Sequence, residues 1–301
     1  MAPQFKSGFI CLAGQPNVGK STLLNRLVGR PISITADKPQ TTRNRIMGLK
    51  NTADYQAVFV DTPGIHVAAD PLNVRMVRYA TAALQDSDLN LMLVEPFTDG
   101  RGEPEPPTHH VLDAVRAATP RALLAITKID LAGEKDILQT IRWFGELEFF
   151  AEILPLSGLT GKGVERLEAL VPDYLAEGPR FFEPDQVTDQ SETMIVAELI
   201  RQEIFRRTHR EVPYSTAVRV EQMEEKKNLL VIHARIFVEW DSQKGILIGK
   251  NGKMLKAIGQ AARKKIEKLL ATKVFLGLHV AVLKDWSGDP RRLAELGYPE
   301  R

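Results

Sequence analysis

Cysteine and long apolar runs are both scarce in this chain of 301 residues. The one cysteine, Cys11, has no partner for an internal disulfide, which is typical of proteins in a reducing compartment. No apolar run reaches the length of a membrane span, and the first residues show no signal-peptide pattern. We therefore expect a cytoplasmic protein, and the sequence leaves peripheral membrane association open. The six histidines show no metal-ligand spacing.

The overall composition is that of an ordinary globular chain, but the charged residues are unevenly distributed. The length of 301 residues predicts one to three domains, with two as the natural expectation, and a content of 44% hydrophobic and 26% charged residues is typical of a globular chain. Residues 180–301 hold 22 Lys and Arg against 17 Asp and Glu, or +5, whereas the remainder holds 18 against 21, or −3. The excess is steepest at 242–273, where Glu267 is the one acidic residue. This indicates a surface that faces a polyanion, although a solvated helix face would have the same composition.

A glycine-rich loop between a predicted strand and a predicted helix dominates the first half. Residues 9–13 are apolar or small and predict a buried strand, and an apolar-periodic run follows the loop. The glycines allow successive N–H groups to converge on phosphate oxygens, and the helix N-terminus adds positive charge. Lys20 is expected to reach the β- and γ-phosphates, and Ser21 to ligate Mg²⁺. The predicted phosphate-binding residues are Gly14, Gln15, Pro16, Asn17, Val18, Gly19, Lys20, Ser21 and Thr22.

Alternating apolar strands and amphipathic helices continue to about residue 172. This pattern predicts an α/β domain with a mostly parallel sheet covered by helices on both faces. Ligands of such sheets bind at the carboxyl ends of the strands. The predicted strands are 45–50 and 56–60, which form a hairpin, then 89–94, 122–127 and 152–157. The predicted helices are 71–84, 108–118, 135–149 and 164–171.

The tetrapeptide Asp61-Thr62-Pro63-Gly64 directly follows a predicted strand. A carboxylate at Asp61 can hold the Mg²⁺ shell, and Gly64 has no side chain to keep its N–H from a γ-phosphate. Alone, the tetrapeptide would be interpreted as a plain turn. Its position some 40 residues after a phosphate-binding loop, at a strand end, favours the nucleotide site.

Two further strand ends predict recognition of guanine. Thr127-Lys128-Ile129-Asp130 places a carboxylate where it can accept hydrogen bonds from the N1–H and exocyclic amine of guanine, a donor pair that adenine lacks. The stem of Lys128 is expected to lie along the base and ribose. Ser157-Gly158-Leu159 follows the next strand and offers a backbone N–H to the guanine O6. These two segments complete the predicted nucleotide site.

Two polar loops are expected to respond to the γ-phosphate. Residues 39–43 (Pro-Gln-Thr-Thr-Arg) contain Thr41 and Thr42, either of which can complete the Mg²⁺ shell, and Thr42 is the preferred ligand. Residues 65–71 follow the Asp61 motif. Together with Lys20, we treat Asn17 and Thr42 as the catalytic candidates, and Ser21, Thr42 and Asp61 as the metal ligands.

The second half predicts a smaller α+β domain. A segment rich in proline begins near residue 172, and we place the domain boundaries at 1–178, a linker at 179–190, and 191–301. The predicted elements are a helix at 191–207, strands at 216–223 and 229–240, a glycine-containing loop with room for an extra helical turn, a helix to about 270, and a strand at 274–283.

The loop in this second domain predicts binding to a nucleic-acid backbone. Gly249-Lys250-Asn251-Gly252 removes steric bulk where a backbone approaches, and lysines can meet phosphates, clamping about four nucleotides. GxxG alone is also a common helix turn, but the apolar residues before it, the basic stretch and the element order favour RNA. Few aromatic residues lie near the loop, so bases are expected in an aliphatic groove. The predicted RNA-binding residues are Ile248, Gly249, Lys250, Asn251, Gly252, Lys253 and Lys256.

The ordered motifs resemble a translation-factor-type GTPase domain over residues 9–159, and G-Q-P-N-V-G-K-S, P-Q-T-T-R and D-T-P-G-I-H are similar to the Era family in particular. The second half resembles a KH domain of prokaryotic topology, and residues 284–298 also look like the Era C-terminus. The resemblance implies a monomeric GTPase with Mg²⁺ that binds GTP and GDP. It also implies that the chain binds the single-stranded 3′ end of small-subunit ribosomal RNA and assists assembly of the small subunit.

Three residues depart from common GTPase patterns. Thr127 stands where Asn is usual, which removes an amide that buttresses the site, and Gly158 stands where Ala is usual. Ile65 replaces the glutamine with which many GTPases orient the attacking water, so we expect slow intrinsic hydrolysis. Relatives with Asn at the Asn17 position can bind K⁺ beside the phosphates, which implies K⁺ as a second cofactor.

Other functions compatible with these motifs are a P-loop ATPase or nucleotide kinase, a GTPase of transfer-RNA modification, a KH protein with a non-hydrolysing nucleotide site, and a GTPase switch on another structured RNA. The first predicts no preference for guanine. The second would bring a substrate-chemistry domain, which the sequence does not show. Intact Gly14–Ser21 and Asp61–Gly64 motifs argue against the third.

Overall fold

A computed structural model describes residues 4–36, 38, 40–66, 71–98 and 103–298. These residues fall into two units. The first unit comprises the described residues within 4–33, 42–66, 76–98 and 103–189. The second comprises 34–36, 38, 40–41, 71–75 and 190–298.

The described residues of the first unit form one sheet of seven strands in the order β2-β3-β1-β4-β5-β6, with β7 paired to the start of β1. Neighbours are parallel except β2 with β3 and β7 with β1. The strands are β1 Lys6–Gly14, β2 Ile46–Asn51, β3 Tyr55–Asp61, β4 Leu89–Val94, β5 Ala122–Ile126, β6 Phe150–Pro155 and β7 Ala176–Glu177. The parallel strands all end at one edge, and the candidate motifs lie there.

Apolar layers cover both faces of this sheet. On one face, Leu23, Leu24 and Leu167 pack with the strands, and on the other Leu84, Val115 and Phe144 do so. The chain therefore has the mostly parallel sheet with helices on both faces that was expected. The helices are α1 Lys20–Val28, α2 Pro71–Asp86, α3 Pro106–Ala118, α4 Glu134–Gly145 and α5 Val164–Leu170, and a 3-10 turn follows at Val171–Tyr174.

The second unit packs helices on one face of a three-stranded sheet of order β10-β9-β8. Strand β9 is parallel to β10 and antiparallel to β8. Ile200, Ile232, Ile258 and Val280 belong to its buried core. Its elements are α6 Glu192–Arg207, β8 Ala217–Lys226, β9 Leu229–Val238, α7 Asp241–Ile248, α8 Lys253–Leu270, β10 Val274–Val282 and α9 Pro290–Glu295. The expected α-β-β-α-β order is confirmed, with α7 as the extra helix before the glycine loop.

Several predicted boundaries were wrong for local reasons. Helix α4 ends at Gly145, not 149, because Glu148 adopts a left-handed φ of 51° and its N–H bonds to the Gly145 carbonyl. Strand β6 therefore starts at Phe150. The β8–β9 hairpin turns at Lys227 and Asn228, both at positive φ, so the charged residues before them lie in a strand. Strand β7 and helix α9 were not predicted.

Residues 179–190 were predicted as a linker. Residues 179–189 of this segment belong to the first unit and contact the rest of it. The N–H groups of Phe181 and Phe182 donate to Gln56 Oε1 at 2.7 and 3.0 Å, and the Phe181 ring lies 5.1 Å from that of Phe9. Thr188 forms an antiparallel bridge with Gly48. The aromatic pair thus packs on the first unit. Within the described ranges, no helix is both long and apolar enough to cross a membrane.

Candidate functional site

The glycine-rich loop at Gly14–Ser21, called the phosphate-type loop below, connects β1 to α1. Two of its residues have a left-handed backbone. Asn17 has a φ of 65° and Gly19 a φ of 101°, so the loop curls back over the start of the helix. Gly14 is required for space, because a Cβ there would lie 2.7 Å from Val18 Cγ1 and 2.8 Å from the Leu93 carbonyl. The predicted strand, loop and helix context is confirmed.

Lys20 is buried beneath this loop, with only 5% of its surface exposed. Its Nζ donates to the carbonyls of Gly14 at 3.1 Å and Gln15 at 2.8 Å. Burial lowers the pKa of this ammonium to about 8, and the negative charge of Asp61 opposes that effect. The loop therefore holds a positive charge at its centre before any ligand contributes.

A hydroxyl–carboxylate cluster lies at the end of β3, at the helix side of the loop. Ser21 Oγ donates to Asp61 Oδ2 at 2.6 Å and lies 2.9 Å from Thr42 Oγ1. Asp61 is fully buried, and its Oδ1 has no hydrogen-bond partner among the described residues. Burial raises the pKa of this carboxyl, while Lys20 and hydrogen bonds from the neighbouring hydroxyls lower it. The three predicted metal ligands are thus brought together.

Ser33 belongs to this cluster but was not predicted from the sequence. Its Oγ donates to Asp61 Oδ2 at 2.9 Å, and it is buried. Asn25 on α1 fixes it by a reciprocal pair, accepting from the Ser33 N–H at 2.9 Å and donating to the Ser33 carbonyl at 2.7 Å. A serine in the loop after a helix carries no distinctive pattern, so no signal in one sequence would have marked it.

The Asp61–Gly64 segment packs directly against the phosphate-type loop. A Cβ on Gly64 would lie 2.4 Å from the Pro16 nitrogen, so only glycine permits this approach. The Thr62 hydroxyl donates to the Leu12 carbonyl at 3.0 Å, and Pro63 is buried. Ile65 is 6% exposed, and its N–H donates to the Gly14 carbonyl at 3.1 Å. The residue after Gly64 therefore offers an apolar side chain and a backbone group that is already bonded.

The loop between α1 and β2 contains the two candidate threonines, and its geometry distinguishes them. The Thr41 hydroxyl donates to the Lys38 carbonyl at 2.6 Å, whereas the Thr42 hydroxyl faces Ser21. This geometry favours Thr42, the preferred candidate. Pro39 at the start of the predicted motif and residues 67–70 of the second polar loop lie outside the described residues.

Thr127 contacts the phosphate-type loop at the end of β5. Its Oγ1 lies 2.7 Å from the Val18 carbonyl and 3.0 Å from the Val94 carbonyl, and its N–H donates to Val94 at 2.7 Å. The threonine hydroxyl thus buttresses the loop although the usual amide is absent. Lys128 has a left-handed φ of 51° and its Nζ donates to Glu95 Oε1 at 2.6 Å. Asp130 is exposed.

The Ser157–Leu159 loop is anchored to α1. The Ser157 hydroxyl is buried and accepts from the Thr160 N–H at 3.0 Å. A Cβ at Gly158 would lie 3.0 Å from the Leu23 nitrogen, which explains why glycine fits where alanine is usual. Arg26 of α1 donates to the carbonyls of Gly158 and Leu159. The last two predicted strand-end segments therefore lie on the same edge as the phosphate-type loop.

The second glycine loop lies between α7 and α8. Gly249 has φ 70° and ψ 172°, Asn251 φ 54° and Gly252 φ 73°, so three of the four residues need positive φ. A Cβ at Gly249 would also lie 2.7 Å from Met254 Cβ. The tight backbone that was predicted for this loop is confirmed.

The side chains around this loop are open to solvent. Lys250, Lys253 and Lys256 are exposed, and the last two share a face of α8 because they are three residues apart. Ile246 is 48% exposed, whereas Ile248 packs partly against the core. Trp240 is 54% exposed, but it caps the N-terminus of α7 and so lies at the opposite end of that helix from the loop.

Comparisons with protein families match two separate parts of the chain. A family model described as "50S ribosome-binding GTPase" matches residues 9–128. A second model, described as "KH domain", matches residues 211–287. The first match contains the phosphate-type loop and the Asp61 segment, and the second contains the lysine-rich glycine loop.

Complete proteins match over nearly the whole chain. The chain is 51% identical to "GTPase Era" of Geobacter metallireducens over 296 residues, covering 98% of both chains. It is 46% identical to "GTPase Era" of Lactobacillus helveticus over 299 residues, covering 99% of this chain and 98% of the relative. A crystal structure of an Aquifex aeolicus Era variant bound to GDP and AlF4− superposes with a TM-score of 0.92 at 34% identity, covering 98% of this chain and all of that one. An Era structure in complex with MgGDPNP and nucleotides 1506–1542 of 16S ribosomal RNA has the same score, identity and coverage.

Proposed function

The chain belongs to the Era family of GTPases, and on that premise we propose that it assists assembly of the small ribosomal subunit by a GTP-controlled contact with ribosomal RNA. The nucleotide is GTP or GDP, the metal ion is Mg²⁺, and the RNA is the single-stranded 3′ region of the small-subunit RNA. The choice of the small subunit is supported by the Era structure that contains nucleotides of 16S ribosomal RNA.

The observation that carries the nucleotide part is the cluster of Ser21, Thr42 and Asp61. Two hydroxyls and a buried carboxylate are ligands of the hard, oxygen-seeking kind that Mg²⁺ takes. Asp61 Oδ1 has no hydrogen-bond partner among the described residues, so an acceptor is available there. Ser21, Thr42 and Asp61 would hold the ion, which supplies charge neutralisation at the phosphates when bound.

The chain's own groups bind and orient GTP at the strand ends. Lys20 exchanges the Gly14 and Gln15 carbonyls for phosphate oxygens, and the N–H groups of the loop converge on the same phosphates. Asp130 accepts from the guanine edge, and Lys128 lies along the base. Replacing GTP by ATP in a competition assay checks this assignment, and equal binding of the two would favour the ATPase alternative. The remaining residues of the proposed site are Gln15, Pro16, Val18, Gly19, Thr22, Thr62, Pro63, Gly64, Thr127, Ser157, Gly158 and Leu159.

Hydrolysis by this site is slow without help, because Ile65 cannot orient the attacking water. We assign Asn17, held at positive φ in the loop, as a ligand for K⁺ beside the phosphates. A monovalent cation there supplies the positive charge that an arginine finger supplies in other GTPases. We expect faster GTP turnover in KCl than in NaCl at equal ionic strength, and loss of the difference in Asn17→Ala. Equal rates in the two salts would contradict this role.

The RNA part rests on the exposed lysines of the Gly249–Gly252 loop. Lys250, Lys253 and Lys256 meet backbone phosphates, and the bases occupy the aliphatic surface that includes Ile246 and Ile248. Crosslinking the full chain to ribosomal RNA, followed by sequencing of the crosslinked positions, tests the target. Crosslinks concentrated near the 3′ end of the small-subunit RNA are expected. Crosslinks confined to another RNA would favour the alternative of a GTPase switch on a different structured RNA.

GTP controls this contact through the polar loops that follow α1 and β3. The triphosphate orders the loop that contains Thr42 and biases the second unit toward RNA, and hydrolysis releases it. RNA affinity is expected to be higher with a non-hydrolysable GTP analogue than with GDP. Identical affinities would refute the coupling. We place the protein in the cytoplasm, where ribosomal subunits assemble, as a monomer, and sedimentation of the purified chain checks the latter.

A further inference from the structure

The loop of residues 157–163, which follows β6 in the first unit, uses most of its backbone N–H groups internally. The Ser157 N–H donates to the Lys162 carbonyl at 2.8 Å, and the Gly161 N–H donates to the Ser157 carbonyl at 2.8 Å. The Thr160 N–H donates to the Ser157 hydroxyl at 3.0 Å, and the Lys162 N–H donates to Thr160 Oγ1 at 3.4 Å. The loop therefore has a defined shape without any ligand.

Two adjacent N–H groups of this loop depart from that pattern. Among the described residues, the N–H groups of Gly158 and Leu159 have no hydrogen-bond acceptor, whereas those of their neighbours on both sides do. Gly158 is partly exposed and Leu159 is 69% exposed, so a ligand can approach both groups. Backbone donors without an internal acceptor take one from water or from a ligand. The pair therefore suits an oxygen acceptor such as the 6-oxo group of a purine.

Arg26 of α1 holds this part of the loop through its carbonyl groups. Its Nε donates to the Gly158 carbonyl at 3.0 Å, and its Nη2 donates to the Leu159 carbonyl. A Cβ at Gly161 would lie 3.7 Å from Arg26 Cζ, so the guanidinium fits closely against the loop. The planar fork of an arginine can serve two neighbouring carbonyls at once, which the point charge of a lysine does less well.

Fixing these carbonyls also fixes the direction of a donor. No cis peptide bond occurs among the described residues, so the Gly158 carbonyl and the Leu159 N–H of one peptide plane point in opposite directions. Because Arg26 binds the carbonyl, the Leu159 N–H faces away from the guanidinium. A cation at the carbonyl also polarises the N–H of the same peptide group and strengthens it as a donor. Arg26 therefore sets both the direction and the strength of this donor.

Helix α1 carries predicted phosphate-binding residues at its other end. Lys20 is the first residue of the helix, and Arg26 lies in its last turn, about 9 Å further along the axis. A Cβ at Gly158 would lie 3.0 Å from the Leu23 nitrogen, so the loop also rests on the middle of the helix. One rigid element thus sets the distance between the phosphate-type loop and the two backbone donors.

We propose that Arg26 is a specificity-determining positioning residue, which directs the backbone donors of Gly158 and Leu159 at the 6-oxo group of guanine. The proposal rests on the proposed function, because it deepens base recognition at that same site. Asp130 accepts from the N1–H and the 2-amino group, so the two residues serve different groups of the base. Removal of the Arg26 fork weakens recognition of the 6-oxo group and leaves recognition of the 2-amino group unchanged.

The test measures the affinities of full-length variants for GDP, for the diphosphate of 6-thioguanosine and for inosine diphosphate. The thio analogue replaces the 6-oxo group by sulfur, a weak acceptor, and inosine diphosphate lacks only the 2-amino group. The parent chain should prefer GDP to the thio analogue about tenfold, and Arg26→Met should reduce this preference to about threefold. The preference for GDP over inosine diphosphate should not change. Arg26→Lys, which keeps the charge without the fork, should give an intermediate value.

The matched control is Arg30→Met, which removes an exposed arginine just after α1 and should behave as the parent chain does. Arg26 is itself exposed, so its substitution should leave the fold intact. A ratio of two affinities does not depend on the folded fraction of a preparation, so even a destabilised variant gives a result.

The outcomes separate failure of this inference from failure of the proposed function. If the parent chain binds none of the three diphosphates, the proposed function fails. If the parent binds GDP without preferring it to the thio analogue, or if Arg26→Met keeps the parent's preference, the inference is overturned. An equal loss of affinity for all three diphosphates also overturns it, because Arg26 would then be merely structural. A parallel fall in the preference over inosine diphosphate, or the same change in Arg30→Met, contradicts it as well.

Discussion

The two glycine loops of this chain contain similar residues but differ in burial and in internal hydrogen bonding. At Gly14–Ser21, the lysine is buried, and the hydroxyls and carboxylate nearby bond to one another at 2.6–2.9 Å. At Gly249–Gly252, the lysines point into solvent and the glycines serve chiefly to allow positive φ. The first loop is preorganised for one ligand geometry, whereas the second offers charge to any backbone that fits.

This difference in burial explains why the two loops should differ in ligand specificity. Buried polar groups that lose their ligand must keep internal partners, and a ligand that fails to replace those partners is rejected. Exposed lysines remain hydrated with or without a ligand, so they contribute affinity that depends on salt and little on sequence. The four predictions below test this contrast, beginning with the largest effect.

The largest expected difference between the regions of the two glycine loops is in the reactivity of a thiol. Cys11 in β1 is fully buried, and burial raises the pKa of its thiol, so reaction requires opening of the sheet. In a Lys253→Cys variant the new thiol lies exposed at a helix N-terminus, which favours the thiolate. In this variant, we expect the thiol introduced at position 253 to react at least about 1,000-fold faster than the thiol of Cys11. Rates are followed with a chromogenic disulfide under native conditions.

The parent chain and a denatured sample are the controls for this measurement. The parent should react slowly in buffer, and every thiol should react at once in denaturant. Fast labelling of Cys11 in the folded parent would show that β1 opens readily and that the first loop is not enclosed.

Guanine selectivity is expected to depend on a single exposed carboxylate. Asp130→Ala removes the acceptor for two guanine donors, and because Asp130 is exposed the fold should tolerate the change. Affinity for GTP and GDP should fall about 100-fold, and preference over ATP should collapse. Glu134→Ala, an exposed acidic residue at the start of α4, is the matched control. Retained preference for GTP in Asp130→Ala would place base recognition elsewhere.

These residues also show what a single sequence can predict. The strand ends, the glycine loops and the α-β-β-α-β order follow from local apolar periodicity and motif spacing, so they were predicted correctly. Ser33 was not, because its role depends on a reciprocal pair with Asn25 formed by folding. Helix α4 was predicted too long because Glu148 turns the backbone against an apolar pattern that continues to Phe149.

RNA affinity is expected to change moderately, and through electrostatics. A Lys250→Ala, Lys253→Ala double variant should bind single-stranded RNA about tenfold more weakly, and the slope of log affinity against log salt should become shallower by about 1.4. The matched control is Lys226→Ala with Lys273→Ala, which removes the same charge from exposed positions outside the loop. Titrations at several KCl concentrations measure both quantities. An unchanged slope in the loop variant, or an equal change in the control, would contradict specific phosphate contacts at this loop.

The smallest effect is expected where the chain departs from the usual GTPase pattern. Thr127→Val keeps the shape of the side chain and removes the hydroxyl that lies 2.7 Å from the Val18 carbonyl. Because that carbonyl belongs to the loop common to both nucleotide states, GTP and GDP affinities should fall together by about fivefold. Fluorescent-nucleotide titration measures both constants, and thermal unfolding checks the fold. Unaltered affinities in Thr127→Val would mean that the buried loop is held by its backbone alone. The first glycine loop would then owe its geometry to positive φ, as the second one does.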